Sequence, residues 1–576
     1  MHANRSQHNL LVRPPREDRS ADWFIHCLLP ALLTAFLLLA VRVNRLPAFL
    51  IADDVISGAV ATILQQADDA MAQKLWYEAK DDLEQALLQS DPTAHESIRK
   101  RLQWCHANTS LEQRYGDQSV AQHIRAVEPA HAQTILTRTL QLIDENYYEE
   151  FDVKETLEKA LLQLQAVTEN PFVYHQFAVD DRVLAPLQER IKSLLRDLPA
   201  SEPCRPIMLL TIAQSLCNLS EEAGLGASWP TLELAYAFAD SLDPYSYLLS
   251  PRQCSVMYDQ LEGHYVGTGL DLIFTDRFPL VFDVVPDSPA QKCGIVPGDI
   301  LIEADGVDCR SKTPEQIGKL LIGQAQTNVT VTIKRDDEEK PLSMTITRRL
   351  IDAPSVRYVM LLEPTIGFLR VVSFDQDTAL EMQHAVDDLK SRGAKSLVID
   401  LRSNGGGIMS SAIDAVRLFI DHGTIVTVCT SDEKTRYVAG DDGFSRGTKT
   451  NHGTATGSAC YKMPLVLLVD EKTASASEIF TAALQDHNRA VVVGTNTLGK
   501  NVVQTIFSLK PSAAALCITT ARYLPPSEKD FHQYGLVPDI LVENDLFGAE
   551  INVSMKTYLA PENPTLKEAI KQVKLL

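Results

Sequence analysis

The sequence has little that would mark a metal protein, a nucleic-acid-binding protein or a disordered chain. Its 10 cysteines are scattered, without a C-x-x-C pair or a cysteine–histidine spacing typical of zinc sites, so we expect no metal. The chain carries 54 basic against 75 acidic side chains, and a net charge of −21 with no basic patch disfavours nucleic acid as a partner. No low-complexity tract interrupts the 576 residues, which predicts several folded domains.

Long apolar runs are equally rare, and the exception lies near the start, at residues 23–41 (WFIHCLLPALLTAFLLLAV). That length matches the roughly 20 apolar residues that cross a bilayer. Arginines are more frequent before the run than after it, which predicts a cytoplasmic tail over 1–22, a transmembrane signal anchor over 23–41 and an extracytoplasmic bulk, periplasmic or equivalent. A cleaved signal peptide is the alternative, although no small-x-small site follows the run directly. In an exported protein some cysteines can form disulfides, whose pairing the sequence does not assign.

Residues 50–256 are predominantly helical in pattern, with apolar residues three and four positions apart, as in WYEAKDDLEQALLQ. We divide this region into a helical domain of unknown role at 50–134 and a second helical part at 135–256. One stretch resembles a single tetratricopeptide-type helical pair, but the further copies that an array needs are absent from the sequence. An ordinary amphipathic helical domain is the simpler interpretation.

Short β-rich runs separated by turns occupy residues 257–350 and predict a small β domain with one helix near Thr313–Leu321. The run SPAQKCGIVPGDILIEADGVDC resembles the signature of PDZ domains, and VGTGLDL resembles their carboxylate-binding loop. We therefore expect a peptide C-terminus to bind at this loop, with the peptide added as a strand along Leu270–Phe274. The loop consists of Val266, Gly267, Thr268, Gly269 and Leu270. For the glycines alone, an ordinary turn is the alternative.

After residue 351 strands and helices alternate, which predicts an α/β domain. The runs SLVIDLR (Ser396–Arg402), PLVLLVD (Pro464–Asp470) and AVVVG (Ala490–Gly494) read as strands buried on both faces, and helical segments between them favour parallel pairing. Three stretches should then meet at the carboxyl edge of the sheet: the glycines after Asn404, the segment TASAS, and the loop that ends at Lys500.

Ser475 and Lys500 are the residues at this edge best suited to acyl-transfer chemistry. Ser475 begins a helix, where the N–H of Ala476 can receive an oxyanion, although Ser475 with Glu478 also fits an ordinary capping box. Ser477 lies further inside the helix and is expected to pack or hydrogen-bond locally. A lysine acts as a base only when its ammonium is desolvated or crowded by positive charge.

Histidine is a less suitable base in this cluster. His487 and His532 lie in polar, loop-like contexts that are typical of solvated surface histidines.

The segments DLRSNGGG, TASASEIFTAALQD, RAVVVGTNTLGKNVVQ and GLVPDILVE closely resemble the carboxyl-terminal-processing peptidases, also called tail-specific proteases, in order and spacing. The similarity covers about residues 135–542. It implies a serine endopeptidase with a Ser/Lys dyad, an embedded PDZ domain over 257–350, a peptidase core of the ClpP/crotonase-like type over 351–545, and neither metal nor other cofactor. The overall fold class would be multidomain α+β, with residues 546–576 as a C-terminal extension.

Carried over residue by residue, the resemblance makes Ser475 the nucleophile and Lys500 its general base. Gln504 matches a side chain that orients the lysine, Glu478 and Asp486 match supporting acids, and the oxyanion donors would be Gly406 and Ala476. The expected partners are protein or peptide substrates with free, apolar C-termini, and oligomer formation is left open. Two alternatives remain: a catalytically silent PDZ scaffold on the same fold, and a lipid- or retinoid-binding relative, for which no feature of the sequence speaks.

Overall fold

The computed structural model describes residues 53–90, 95–116, 118–198, 207–274, 278–310, 312, 314–335, 338, 340–439, 460–542 and 563–576. The predicted tail at 1–22 and the predicted signal anchor at 23–41 lie outside this part of the chain. Within the described ranges, none of the helices combines the length and the apolar character that crossing a membrane requires.

The described chain divides into two compact units. The residues up to Ser255, together with Ile506–Thr519, form a helical unit, and Val256–Thr505 with Thr520–Leu576 form the other. The predicted limits of the individual domains stay predictions.

The helical unit confirms the helical pattern read from residues 50–256. Its buried side chains form two clusters, one that extends from Val60 to Cys105 and a larger one that begins at Ala107. A short strand, β1 (Tyr247–Leu249), pairs antiparallel with Ala515–Cys517. The helices are Asp53–Ala72, Trp76–Gln89, His95–Tyr115, Gln118–Ala126, Pro129–Asn146, Val153–Glu169, Pro171–Gln176, Asp181–Arg196, Ile207–Glu222, Trp229–Asp240 and, passing into the next unit, Pro251–Leu261.

The small β domain of the second unit has the strands and the helix that the sequence predicts. Its sheet has the order β3 (Leu270–Phe274), β4 (Pro279–Val284), β5 (Ile300–Ala304), β7 (Asn328–Lys334) and β8 (Leu342–Thr347), with β6 (Val307–Asp308) paired to β5, and β3 lies at the edge. The Asp299 carboxylate, fully buried in the turn before β5, accepts hydrogen bonds from Arg335 at 2.7 and 2.8 Å, which fixes that turn. The elements are β2 (His264–Gly267), β3 (Leu270–Phe274), β4 (Pro279–Val284), a helix at Pro289–Lys292, β5 (Ile300–Ala304), β6 (Val307–Asp308), a helix at Pro314–Leu321, β7 (Asn328–Lys334), β8 (Leu342–Thr347) and β9 (Arg349–Asp352).

The rest of the second unit is built on a sheet with the strand order β10 (Val356–Glu363), β11 (Ile366–Val371), β12 (Ser396–Asp400), β15 (Leu465–Val469), β16 (Val491–Gly494) and β19 (Ile540–Leu541). Apart from the antiparallel pair β10/β11, its neighbouring strands are parallel, as the alternation of strands and helices predicts. The elements are β10 (Val356–Glu363), β11 (Ile366–Val371), a helix at Thr378–Ser391, β12 (Ser396–Asp400), a helix at Met409–Arg417, β13 (Gly423–Cys429), β14 (Lys434–Ala439), β15 (Leu465–Val469), a helix at Ala476–Asp486, β16 (Val491–Gly494), β17 (Val502–Ser508), β18 (Ala515–Leu524), β19 (Ile540–Leu541) and a helix at Pro564–Leu575.

The two faces of this sheet are covered by different helices. Strands β12 and β15 are buried at every residue, which explains their continuous apolar sequences. On one face the helices Thr378–Ser391, Met409–Arg417 and Ala476–Asp486 contribute to one large core. On the other face the last helix packs Leu566, Ala569 and Val573 against the sheet, so the described part of the predicted C-terminal extension completes the core.

Candidate active site

Ser475 lies at the tip of a strained turn between β15 and the helix Ala476–Asp486. Its backbone has φ 56° and ψ −114°, a conformation that non-glycine residues adopt only when their surroundings enforce it, at a cost of about 1–3 kcal/mol. The side chain is nearly buried, with 4% of its surface exposed. The turn thus holds the serine in one orientation at the positive end of a helix.

The Glu478 carboxylate joins this turn to the loop that carries Lys500. Its Oε2 atom accepts the N–H of Ser475 at 2.7 Å and the N–H of Lys500 at 2.9 Å. Its Oε1 atom accepts the Thr497 hydroxyl at 2.6 Å and the Gly499 N–H at 2.7 Å. One side chain therefore fixes the main chain of both predicted catalytic residues, and the capping box predicted from the sequence is part of the site.

Burial has a large effect on the protonation of Glu478. The residue has no exposed surface, and burial raises the pKa of its carboxyl to about 7. The four hydrogen bonds oppose that rise because they favour the charged form. Glu478 therefore titrates in the neutral range.

The Lys500 loop is supported on its other side by the segment 531–536, whose last two residues are the first two of the GLVPDILVE motif. The Gln533 N–H donates to the Gly499 carbonyl at 2.8 Å, and the Leu536 N–H donates to the Thr497 hydroxyl at 2.7 Å. Lys500 itself is 1% exposed. Residues more than thirty positions after the lysine therefore support its loop through their main-chain N–H groups.

The glycine loop after β12 lies directly against the Ser475 turn. Gly406 has φ +100°, and a Cβ atom at this position would lie 2.8 Å from the Ala474 carbonyl oxygen and 2.9 Å from the Ala476 nitrogen, so only glycine fits. Its N–H donates to the Asn404 side chain at 2.9 Å. One of the two predicted oxyanion donors is therefore engaged by its own loop in this structure.

Ser477 has a structural contact here. Its hydroxyl donates to the Asn404 carbonyl at 3.1 Å, so it holds the glycine loop, in agreement with the prediction that it packs or hydrogen-bonds.

A buried ion pair anchors the start of the glycine loop. The Arg402 guanidinium contacts both carboxylate oxygens of Asp400, at 2.9 and 2.7 Å, and neither residue is more than 1% exposed. Burial alone would raise the pKa of Asp400, but the adjacent guanidinium outweighs it and the pKa is lowered. Both residues belong to the DLRSNGGG segment, yet sequence reasoning gave them no role.

The remaining predicted residues of the site differ in position. Gln504 is buried on β17, four residues after Lys500. Asp486 is the last residue of the helix that Ser475 begins, roughly 15 Å away at 1.5 Å per residue. There its carboxylate accepts the Ser527 N–H at 2.9 Å. The helix thus separates Asp486 from Ser475, and its supporting role stays a prediction.

The histidines are less solvated than the sequence suggests. His487 and His532 are both half-buried, and Nε2 of His487 lies 2.7 Å from the Thr424 carbonyl oxygen.

The predicted carboxylate-binding loop of the small β domain packs against the turn before the helix Pro289–Lys292. Gly269 has φ +88°, and a Cβ atom there would lie 2.2 Å from the Ser288 Cβ. The Ala290 N–H donates to the Thr268 carbonyl, and the Val285 N–H donates to the Gly269 carbonyl, each at 2.9 Å. These bonds fix the loop beside the open edge of β3.

The same domain contacts the α/β sheet through residues of β3 and β4. Asp271 lies 3.4 Å from Arg357, and the Tyr358 hydroxyl donates to Asp283. The Arg370 guanidinium stacks on the Phe282 ring, 5.0 Å from its centroid. Its Nη2 atom also donates to the carbonyl of residue 402, at 3.4 Å, so this arginine touches both the β domain and the base of the glycine loop.

Sequence reasoning also missed Tyr523, on β18. Its hydroxyl contacts the carbonyl oxygens of both Ser475 and Lys500. A tyrosine in a strand carries no motif, so no sequence signal distinguishes it from a core residue.

Comparison of the sequence with known proteins identifies the family of the chain. Residues 365–542 match peptidase family S41, and residues 281–335 match the PDZ domain. The carboxy-terminal-processing protease of Bartonella bacilliformis is 33% identical over 314 residues, which are 53% of this chain and 68% of that protein. The carboxyl-terminal-processing protease of Synechocystis is 33% identical over 315 residues, 54% of this chain and 70% of that one.

Among solved structures, the photosystem II D1 C-terminal processing protease aligns with 21% identity and a TM-score of 0.41, covering 76% of this chain and 99% of that chain. The sequence relatives favour a peptidase over a silent scaffold. The chain belongs to the carboxyl-terminal-processing proteases of peptidase family S41, and it is a serine-type endopeptidase with a PDZ domain.

Proposed function

We propose that the protein cleaves polypeptides with a Ser475/Lys500 dyad. The observation that carries this proposal is the shared acceptor: one Glu478 oxygen holds the main-chain N–H of both residues. Lys500 is almost fully buried, and burial disfavours the charged form of a lysine side chain.

In the proposed reaction the neutral Lys500 amine takes the hydroxyl proton of Ser475 as Oγ bonds to the scissile carbonyl carbon. The negative charge that develops on the carbonyl oxygen is stabilised by the Ala476 N–H at the helix start. Gly406 can add its N–H once that group leaves the Asn404 side chain. Lys500 then returns the proton to the departing amine as the C–N bond breaks. Water hydrolyses the resulting ester with Lys500 as base again.

We further propose that the PDZ domain selects substrates by their C-terminus. The Gly269 loop would take the terminal carboxylate, an apolar last side chain would settle beside the helix Pro314–Leu321, and the peptide would extend the sheet at β3. The contacts of Asp271 and Phe282 with the α/β sheet support a second role, in which a bound tail changes the glycine loop through Arg370.

We also propose that residues 23–41 anchor the enzyme in a membrane with the bulk of the chain outside the cytoplasm. The support is the apolar run and the arginine distribution in the sequence.

Loss of either dyad residue should abolish turnover. Ser475→Ala, Lys500→Ala and the double variant are expected to lose nearly equal activity, because the two groups act as a unit. Ser477→Ala, which removes only the contact with the Asn404 carbonyl, should keep measurable activity. Cleavage of a tail peptide, followed by mass spectrometry, measures all four. Near-normal turnover by Lys500→Ala would contradict the assignment.

Glu478 should impose a second ionisation on the activity. Its raised pKa means that the carboxyl takes a proton as the pH falls through about 7, and a protonated carboxyl can no longer accept all four donors. In wild type, log kcat/KM should therefore fall with a limiting slope of about 2 on the acid side, for Glu478 and Lys500 together. Glu478→Gln, whose amide resembles the protonated carboxyl, should be less active at every pH and should show a slope of about 1.

Stability should respond to Glu478 in the opposite direction. Because the folded-state pKa lies above the ordinary 4.5, the contribution of this group to the free energy of unfolding is largest below that pH and is lost as the pH rises through about 7. The melting temperatures of wild type and of Glu478→Gln at pH 5 and at pH 8, compared with each other, measure this contribution to stability.

The control for the activity measurement is Glu471→Gln, in which log kcat/KM should fall on the acid side with the same slope as in wild type. If log kcat/KM falls with the same acid-side slope in wild type and in Glu478→Gln, ionisation of Glu478 does not control the activity.

Tail recognition should depend on the terminal carboxylate. Amidating the C-terminus of a substrate, or ending it with Asp, should lower kcat/KM by roughly ten- to a hundredfold, the range for loss of a charge-assisted hydrogen bond. Gly269→Val should have the same effect, because its side chain would overlap Ser288. A short peptide that reaches Ser475 without binding the PDZ domain distinguishes tethering of the substrate from activation of the site. Gly269→Val should still cleave this peptide if the domain only tethers, and should fail to cleave it if the domain activates. Equal cleavage of free and amidated tails by wild type would exclude both.

The anchor has a direct test. The mature protein should stay in the membrane fraction after a high-salt wash, and its N-terminus should lie before Trp23. An N-terminal sequence that starts beyond Val41 would show a cleaved signal peptide instead.

A further inference from the structure

The two proposed catalytic residues are held from a second side by one tyrosine. The Tyr523 hydroxyl lies 3.0 Å from the Ser475 carbonyl oxygen and also donates to the Lys500 carbonyl. Glu478 binds the N–H groups of the same two residues. The N–H and the carbonyl of each residue belong to the two peptide units that flank it, and both are therefore engaged, the N–H groups by a carboxylate and the carbonyls by a hydroxyl.

The tyrosine is itself rigidly placed. It is 1% exposed, and its ring packs edge-on against Phe531, with the ring centroids 5.9 Å apart. Its N–H donates to the carbonyl of Asn501, the neighbour of Lys500, at 2.9 Å. On β18 it pairs with Val428 of β13. The position of the hydroxyl is thus determined by the sheet and by the segment that supports the Lys500 loop.

The Ser475 carbonyl has two contacts, the Ile479 N–H at 2.9 Å and the Tyr523 hydroxyl, whose single proton is shared with the Lys500 carbonyl. The first is an ordinary helical bond and tolerates rotation of the peptide group before the helix. The second constrains that rotation, because a hydroxyl held between two carbonyls fixes the distance between them. The positive-φ conformation of Ser475 needs such constraints in order to persist.

We propose that Tyr523 is a positioning residue for the peptidase reaction, whose hydroxyl sets the distance between the main chains of Ser475 and Lys500. The inference rests on the dyad proposed above. The Tyr523 hydroxyl contacts the carbonyl oxygens of both residues, and the proposed effect is transmitted through these two main-chain contacts. Its loss should slow the chemical step and leave substrate binding nearly unchanged, because a displacement of about 1 Å at a reacting pair can reduce the rate by a factor on the order of a hundred.

The test compares two tyrosines of the same core cluster. Tyr523→Phe removes only the hydroxyl between the carbonyls. Tyr461→Phe removes a hydroxyl that donates to Asp387 at 2.8 Å, and Tyr461 is likewise buried, at 3% exposure. We expect Tyr523→Phe to lower kcat at least tenfold with KM within about twofold, whereas Tyr461→Phe lowers only the melting temperature.

A count of active sites distinguishes a slower chemical step from a loss of correctly folded enzyme. A fluorophosphonate probe labels the reactive serine, so kcat is referred to the fraction labelled at completion, and the labelling rate constant should fall along with kcat in Tyr523→Phe. Tyr523→Leu, which also lacks the hydroxyl, must lower kcat at least as far. A kcat per labelled site within twofold of wild type in Tyr523→Phe overturns the inference. An equal loss of kcat in Tyr461→Phe also overturns it, because the effect would then be general.

Failure of the dyad has a different signature. If Lys500→Ala keeps its activity, the proposed function fails whatever Tyr523 does. If Ser475→Ala and Lys500→Ala are inactive while Tyr523→Phe is normal, only the positioning role fails.

Discussion

The buried carboxylate of Glu478 accepts four hydrogen bonds from two stretches of chain that are more than twenty residues apart, and the geometry around Ser475 depends on it. A charge with no exposed surface is costly unless every lone pair finds a donor. Here the donors are three backbone N–H groups and one hydroxyl, none of them a cation. The protein therefore keeps at the centre of the site a carboxyl group that is only partly ionised near neutral pH. The charged form is stable only when the two loops supply all four hydrogen-bond donors.

Positioning at this site falls on main-chain atoms. Glu478 accepts the N–H groups of residues 475 and 500, and the Tyr523 hydroxyl contacts their carbonyl oxygens. The backbone conformation at residues 475 and 500 thus depends little on the side chains at these two positions. The same is true of the glycine loop, which is held by Asn404, by Ser477 and by its close approach to Ala476.

Much of the fold could be predicted from the sequence because its signals are local. Buried parallel strands such as Ser396–Asp400 appear as continuous apolar runs, and the PDZ strands appear as alternating runs between turns. The convergence of the glycine loop, the Ser475 turn and the Lys500 loop also follows, since parallel strands share an edge. The capping box at Ser475 was recognised, but as a competing explanation, whereas the structure joins it to the Lys500 loop.

What the sequence could not supply are contacts between distant residues with no pattern of their own. Tyr523 reaches the site from β18, and the 531–536 segment supports Lys500 by backbone bonds that any residue could make. The engagement of the Gly406 N–H by Asn404 depends on the loop conformation alone. The separation of Asp486 from Ser475 could have been read from helix length, because the 11 residues of this helix extend over about 16 Å.

The support of the Lys500 loop by residues 531–536 has a consequence for the order in which the enzyme is made. Both residues of the proposed dyad leave the ribosome before that segment does, and the helix Pro564–Leu575 that covers the sheet follows later still. A nascent chain that has reached Lys500 therefore contains all the proposed reactive groups and lacks the scaffold that aligns them. The direction of synthesis thus delays proteolytic capacity until the supporting segments that follow Lys500 along the chain have been made.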